Sequence, residues 1–276
     1  MPNQTLYVCD FGMSASEREF WQAAGHYLAP PEHVPPGLHP WRYKACISQF
    51  IDANAYDAIV WIDADMVLLV PVHEQIEALV SDMIRGGASA AATPDASGLS
   101  LRRAISAFTA TGNNLNPLED LINRYNKKDA DAYLNTGFLV ITNFEFGDLW
   151  ARETLAQDDW LLFEQNTFNA LVGPSRHAVH ELETAIWNVH GDLLAEVDFM
   201  DVGRQAYFLH TTSPEQRHHI ENEIEYPIGK LVLPGWFKLF VRDDLRQLQQ
   251  KHLLEFLKKH LELLRRCELL VTPREP

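Results

Sequence analysis

Cysteine is scarce in this chain. Three occur, Cys9, Cys46 and Cys267, scattered and odd in number. No disulfide framework and no zinc-ligand spacing can be built from them. Incidental thiols in a reducing compartment are the expectation. Basic residues are also in deficit: 23 Lys and Arg stand against 38 Asp and Glu, a formal net charge of −15. So acidic a surface argues against nucleic acid as a general partner. It also means that a phosphorylated ligand needs a bound cation or a local basic patch. There is no run of 18 apolar residues, so no transmembrane helix is expected. The opening Met1-Pro-Asn-Gln4 lacks signal-peptide features, and a cytoplasmic location is the expectation. No internal repeat and no low-complexity tract interrupts the chain.

What is present is ordinary globular material, 46% hydrophobic and 22% charged over 276 residues. That is enough for one large α/β domain or two small ones. The most informative stretch is Tyr56-Asp-Ala-Ile-Val-Trp-Ile-Asp-Ala-Asp-Met-Val-Leu-Leu-Val70. Residues 59–62 form a short apolar run rich in β-branched and aromatic side chains, the pattern of a buried strand in a mostly parallel sheet. Asp63 and Asp65 sit at its end. In extended chain, residues two apart point to the same side. Two such carboxylates can close on one divalent cation and hold a diphosphate against it. The crevice beyond strand ends is also where open α/β sheets bind ligands. Asp-x-Asp alone is common in solvated turns. The apolar flanks are what favour a site, because unpaired charge in such surroundings is costly.

Taken in order, residues 6–9 read as a strand followed by a turn at Asp10. Ser14 and Glu17 have the spacing of a capping box, with a helix running to about Tyr27. Five prolines between Pro30 and Pro40 mark a loop. Residues 41–54 read as a helix carrying Lys44 in its first turn, either solvated or beside a phosphate. A helix over 72–85 ends at Gly86-Gly87, and a small-residue strand covers 88–93. Residues 95–128 are polar and less regular, with a helix over 99–110 and a loop at 111–117. Residues 138–141 form a strand, and Asn135-Thr-Gly137 before it allows close backbone approach to a ligand at Gly137. Residues 146–155 are a helix start or loop. A helix over 160–171 carries Glu164, Gln165 and Asn169, read from the residues as a satisfied buried network. Residues 206–212 form a last strand reaching His210, which is either a structural hydrogen-bonder or the third ligand that the Asp63/Asp65 pair lacks. Mixed Asp/Asp/His ligation suits Mn²⁺ or Mg²⁺. The composition then shifts. Leu253, Leu257, Leu261 and Leu264 make one helical stripe, with Lys258, Lys259, Arg265 and Arg266 beside it. The stripe packs on the core or on a second copy of the chain as a homo-oligomer. A membrane-surface role is the weaker alternative.

In sequence order, the strand at 6–9 with Asp10, Trp41-Arg-Tyr-Lys44, Trp61-Ile-Asp-Ala-Asp65, Leu134-Asn-Thr-Gly-Phe138, Phe163-Glu-Gln-Asn166 with Asn169, Trp187-Asn188 and Phe208-Leu-His210 together resemble the GT-A fold glycosyltransferases. The closest likeness is to the glycogenin and lipopolysaccharide galactosyltransferase group, family 8-like. Each motif is weak alone; their shared order over residues 5–212 carries the resemblance. It implies an α/β GT-A domain, a Rossmann-like, mostly parallel sheet flanked by helices, over residues 1–240. A C-terminal amphipathic helix and tail would occupy 241–276. It implies a nucleotide-sugar donor, usually a UDP-sugar, and a glycan, lipid or protein acceptor. It implies Mn²⁺ or Mg²⁺ held by Asp63, Asp65 and His210, with Lys44 near the diphosphate and Asp10 and Asp63 among the donor contacts. Asn135 and Gly137 would line the donor-sugar and acceptor side. Gln165, with Glu164 where the family commonly has Asp, would lie under the anomeric carbon as the catalytic pair. The family has a further strand and helix before the one matched at Leu6. It also often follows its histidine with Gly and Lys, where this chain has Thr211-Thr-Ser-Pro214.

The chemistry leaves the stereochemical course open. A retaining transfer needs a side chain on the back face or an acceptor entering beside the leaving group. An inverting transfer needs a carboxylate base on the acceptor, and Glu164 suits either. The resemblance favours retention. One rival is a non-catalytic GT-A-like binding or assembly module. A second is a nucleotidyltransferase, which is disfavoured because no Gly-rich basic loop follows the first strand.

Overall fold

A computed structural model describes residues 6–95, 99–158, 160–173, 177–191, 193–196, 206–211 and 220–272. The end of the expected last strand at Thr212 and the tail from 273 on lie outside them. In chain order the first elements are β1 (Val8–Cys9), α1 (Ala15–Ala24), β2 (Tyr27–Leu28), α2 (Pro40–Ala45), β3 (Ile59–Ile62), β4 (Met66–Leu68) and α3 (His73–Gly86). There follow β5 (Ala90–Pro94), α4 (Leu101–Ala110), α5 (Asn116–Tyr125), β6 (Leu134–Ile141), α6 (Phe144–Leu155) and α7 (Phe163–Leu171). The chain ends with β7 (Val179–Glu181), α8 (Thr184–Trp187), α9 (Leu193–Glu196), β8 (Phe208–His210), β9 (Ile220–Ile228), β10 (Leu231–Phe240) and α10 (Asp243–Arg266). No helix among the described residues is long and apolar enough to cross a membrane.

The chain divides into two compact units. The first holds Pro30–Val189 and Asp198–Leu209; the second holds Asn3–Ala29, His190–Val197 and His210–Pro276. The division falls inside β8, one peptide bond before its last residue.

The first unit is built on a four-stranded sheet of order β3-β6-β5-β7. This corrects the mostly parallel sheet expected from sequence. β6 runs antiparallel to both β3 and β5, and only β5 and β7 are parallel. Continuous apolar runs report burial on both faces, which β6 has at all eight of its residues. They do not report strand direction, which the connections decide. The remaining strands form separate pairs, β4 with β8 in this unit among them. One core layer packs Leu139, Ile141, Phe146, Trp150 and Phe168 against one face of the sheet. The other packs Leu79, Met83, Phe138, Val140 and Phe208. At Gly147 a Cβ would lie 2.7 Å from Ser48, so α6 needs glycine there to approach.

Two local departures have simple causes. The helix expected over 41–54 stops at Ala45 and gives way to 3₁₀ turns at Ile47–Gln49 and Ala53–Ala55. Tyr43, Lys44, Ala45, Cys46, Ile47 and Ser48 are all buried, which one continuing amphipathic helix face cannot achieve. The irregular stretch before 128 contains α5. Its Leu118, Leu121 and Ile122 pack with Leu101 and Tyr133 at helical spacing.

In the second unit β1 and β2 pair in parallel. α1 starts at Ser14, where both capping-box bonds are made with Glu17. It ends at Gly25, which adopts a left-handed φ of 79°. Tyr27, the last residue expected in this helix, instead opens β2. β9 and β10 form an antiparallel hairpin. The 24 residues of α10 carry Asp243 and Asp244 in the first turn and Arg265 and Arg266 in the last, as the helix dipole favours. Leu257 and Leu264 of the leucine stripe bury with Phe20 and Cys267, and Leu253 packs beside them. Each such buried side chain contributes about 1.5–3 kcal/mol.

Candidate functional site

The site begins with β3. Its period of two puts Trp61 and Asp63 on the same side. The Asp63 N–H donates to the Gly137 carbonyl at 2.9 Å, and the Met66 N–H closes a turn on the Asp63 carbonyl at 3.1 Å. This turn brings Asp65 to the side of Asp63. β8, paired with β4, carries His210 at its end. Asp63, Asp65 and His210 each offer one ligand atom, and these atoms lie within 4.8 Å of one another. The aspartates are half-buried and the histidine buried.

Behind Asp63 lies a buried ammonium. Lys44, on α2, is 6% exposed. Its Nζ is 3.0 and 3.1 Å from the two Asp63 carboxylate oxygens and 3.2 Å from Glu164 Oε1. Burial works against the charge on Lys44, but the Asp63 and Glu164 carboxylates outweigh it and hold the ammonium protonated above the usual lysine range. The Trp61 indole N–H donates to Asp63 Oδ1 at 2.6 Å.

α7 supplies the second wall. All nine of its residues are buried, five of them polar or charged. An all-buried helix is stable only when such groups are paired, and these are. Asn169 accepts from the Leu134 N–H at 2.7 Å and donates to the Leu134 carbonyl at 2.8 Å, completing the edge of β6 as a neighbouring strand would. Glu164 accepts the Thr136 hydroxyl at 2.9 Å. Gln165 accepts the Thr136 N–H at 3.2 Å and donates to the Tyr133 hydroxyl at 3.2 Å. The buried network expected from sequence is therefore present for Gln165 and Asn169.

β6 itself is bulged here. Its register with β5 jumps from Ala92↔Leu139 to Thr93↔Asn135. Bulges re-aim side chains and are frequent beside active sites. Asn135 Oδ1 accepts the Gly137 N–H at 2.8 Å and Asn188 Nδ2 at 2.9 Å, while its own amide donates to Asp95 at 2.6 Å. Asn188 also donates to Thr93 at 2.9 Å. Phe138, Trp187 and Phe208 stack beneath, with ring centroids 5.1 and 5.0 Å apart.

Of the residues singled out from sequence, the fold gathers Lys44, Asp63, Glu164, Gln165, Asn135 and Gly137 into this connected cluster, and the metal-type grouping contains Asp63, Asp65 and His210. Asp10 lies in the second unit. Its carboxylate accepts the Gly12 and Met13 N–H groups at 2.8 and 2.7 Å and the Tyr27 hydroxyl at 2.9 Å, and pairs with Arg18 at 2.8 Å. Sequence reasoning missed Trp61, Thr136 and Tyr133. For Trp61 the signal was available: an indole two residues before Asp63 on one strand face.

No family model matches the chain, and no curated protein matches it. Among solved structures, the chain is similar to apo WbbM, a bifunctional glycosyltransferase, at 18% identity and a TM-score of 0.43, over 69% of this chain and 34% of that one. It spans about a third of that protein. It is also similar to the galactosyltransferase LgtC, solved with donor and acceptor sugar analogs, at 13% identity and a TM-score of 0.42, over 77% of this chain and 78% of that one. Apo mouse xyloside xylosyltransferase 1 is similar at 12% identity and a TM-score of 0.34, over 62% of each chain. These three matches are to structures of glycosyltransferases.

Proposed function

We propose that this chain is a metal-dependent glycosyltransferase. It moves a sugar from a nucleotide-sugar donor, a UDP-sugar, to an acceptor with retention of anomeric configuration. The observation that carries this reading is the grouping of Asp63, Asp65 and His210. Two carboxylates and an imidazole are a hard-to-borderline donor set that fits Mn²⁺ or Mg²⁺. Asp63, Asp65 and His210 would hold the cation, which would supply charge stabilisation for a departing diphosphate.

The chain's own residues do the rest. Lys44 ties Asp63 to Glu164, so the metal-side carboxylate and the sugar-side wall keep one spacing. Its charge also lowers the negative field that an incoming diphosphate meets. Asn135 and Gly137, fixed by the β6 bulge, line the donor-sugar and acceptor side. Glu164 and Gln165 contact the sugar at the reacting centre. Their hydrogen bonds to Thr136 pre-set their rotamers, so little ordering remains for the reaction step.

The test is nucleoside diphosphate release from a panel of UDP-, GDP- and CDP-sugars, with and without Mn²⁺. The expected result is UDP-sugar hydrolysis that requires Mn²⁺. Gln165→Ala or Glu164→Ala should lose turnover and keep UDP binding. Full turnover in both variants moves the catalytic role elsewhere. No turnover and no nucleotide binding overturns the enzyme and leaves a GT-A-like binding module.

A further inference from the structure

An indole N–H aimed at a carboxylate of the metal-type grouping is the feature that the proposed function leaves unused. Trp61 and Asp63 share one face of β3, and the hydrogen bond between them is 2.6 Å long. The indole has little freedom. Trp61 pairs across the sheet with Leu139 and packs against the core layer that includes Ala45 and Ile141. Its N–H points at Asp63 Oδ1. Lys44 reaches that same oxygen at 3.0 Å and the other at 3.1 Å. Three donor contacts from two side chains thus fix the plane of one carboxylate.

We infer that Trp61 is a positioning residue for the metal site: its N–H, with Lys44, sets the orientation in which Asp63 meets the cation. This rests on the metal reading above. Groups that hydrogen-bond a metal ligand from outside fix its orientation and basicity, and their loss costs metal affinity although they never touch the ion. A phenyl ring in place of the indole would fill much of the same space and donate nothing.

The experiment is a Mn²⁺ titration followed by electron paramagnetic resonance, on the full-length chain and two variants. One is Trp61→Phe. The other carries 3-benzothienylalanine at position 61, which keeps the bicyclic shape and replaces only the N–H by sulfur. The expected result is a Mn²⁺ affinity about 10- to 100-fold weaker in both variants. The bound-Mn²⁺ line shape should also change, a signature that a packing role alone would not give. The metal-free melting temperature of the benzothienyl variant should fall by no more than the loss of one hydrogen bond, because the ring packing is kept. Should Trp61→Phe fold poorly, the benzothienyl variant decides. Parent-like Mn²⁺ affinity and line shape in that variant overturn the inference and leave the metal site standing. A parent chain that binds no Mn²⁺ overturns both.

Discussion

Asp10 and Asp63 are both carboxylates at strand ends, and both are ringed by donors. The difference lies in where the donors come from. Asp10 is held by two backbone N–H groups of its own turn, a tyrosine on the paired strand and Arg18, whose side chain is 49% exposed. It caps a turn and joins two short strands. Asp63 is held by an ammonium and an indole from the packed interior, and the same ammonium holds a second carboxylate, Glu164. Beyond those donors, Asp65 and His210 approach it with ligand atoms of their own. The Asp10 donors belong to its own turn and the paired strand, whereas the Asp63 donors come from Lys44 and Trp61 and sit beside two further ligand-type groups, where we propose that a cation binds.

That contrast can be broken at several points. The largest effect is expected at Asp65. Asp65→Ala should lower turnover by roughly 10³-fold, the worth of several kcal/mol of charge stabilisation. It should leave metal-free stability nearly unchanged, as kinetics and melting of the same preparation would show. Lys44→Met comes next. It leaves Asp63 and Glu164 facing each other without their shared ammonium, at a cost of about 3–5 kcal/mol in urea unfolding. Added Mn²⁺ should recover part of that loss.

Asp10→Asn should cost about 1–3 kcal/mol and leave Mn²⁺ affinity unchanged. Its pH dependence has a definite sign. Burial opposes ionisation of Asp10, but the Met13 and Gly12 N–H groups, the Tyr27 hydroxyl and Arg18 outweigh it and hold the carboxyl below its ordinary value of 3.8. The carboxylate form is thus stabilised by folding. Its contribution is complete above that ordinary value and is lost as pH falls through the lowered one. The stability gap between parent and Asp10→Asn should therefore close only in strong acid, measured by unfolding at a series of pH values. The smallest effect is expected at Arg18, the exposed partner. Arg18→Met should cost no more than about 1 kcal/mol, against the several expected for Lys44→Met.

The Asp63/Asp65 half of the candidate site was legible because its chemistry is local, and His210 was assigned to it only through the shared order of motifs. Asp63-x-Asp65, the Ser14 capping box and the i, i+4 pair Gln165 and Asn169 each carry their meaning within a few residues. What stayed hidden depends on contacts between distant segments. The direction of β6 follows from chain connections, while its apolar run reports burial alone. The helix expected over 41–54 broke because six consecutive residues are buried, a fact that neighbours impose. The β9–β10 hairpin was passed over although alternation in residues 220–228 and Gly229, at a φ of 63°, marked it. Lys44 read as solvated or beside a phosphate. Its place between Asp63 and Glu164 depends on residues 19 and 120 positions away.

The central claim is that Asp63, Asp65 and His210 form a working cation site for a nucleotide diphosphate. It is tested most directly by thermal-shift titration with UDP, GDP and CDP, each with and without Mn²⁺. The account predicts a melting rise with UDP that needs Mn²⁺ and vanishes in Asp65→Ala. At a hundredfold excess over Kd the stabilisation should be about 2.7 kcal/mol. A UDP shift of equal size without Mn²⁺, or retained in Asp65→Ala, would contradict the assignment. No shift with any nucleotide would leave the grouping without a donor to serve.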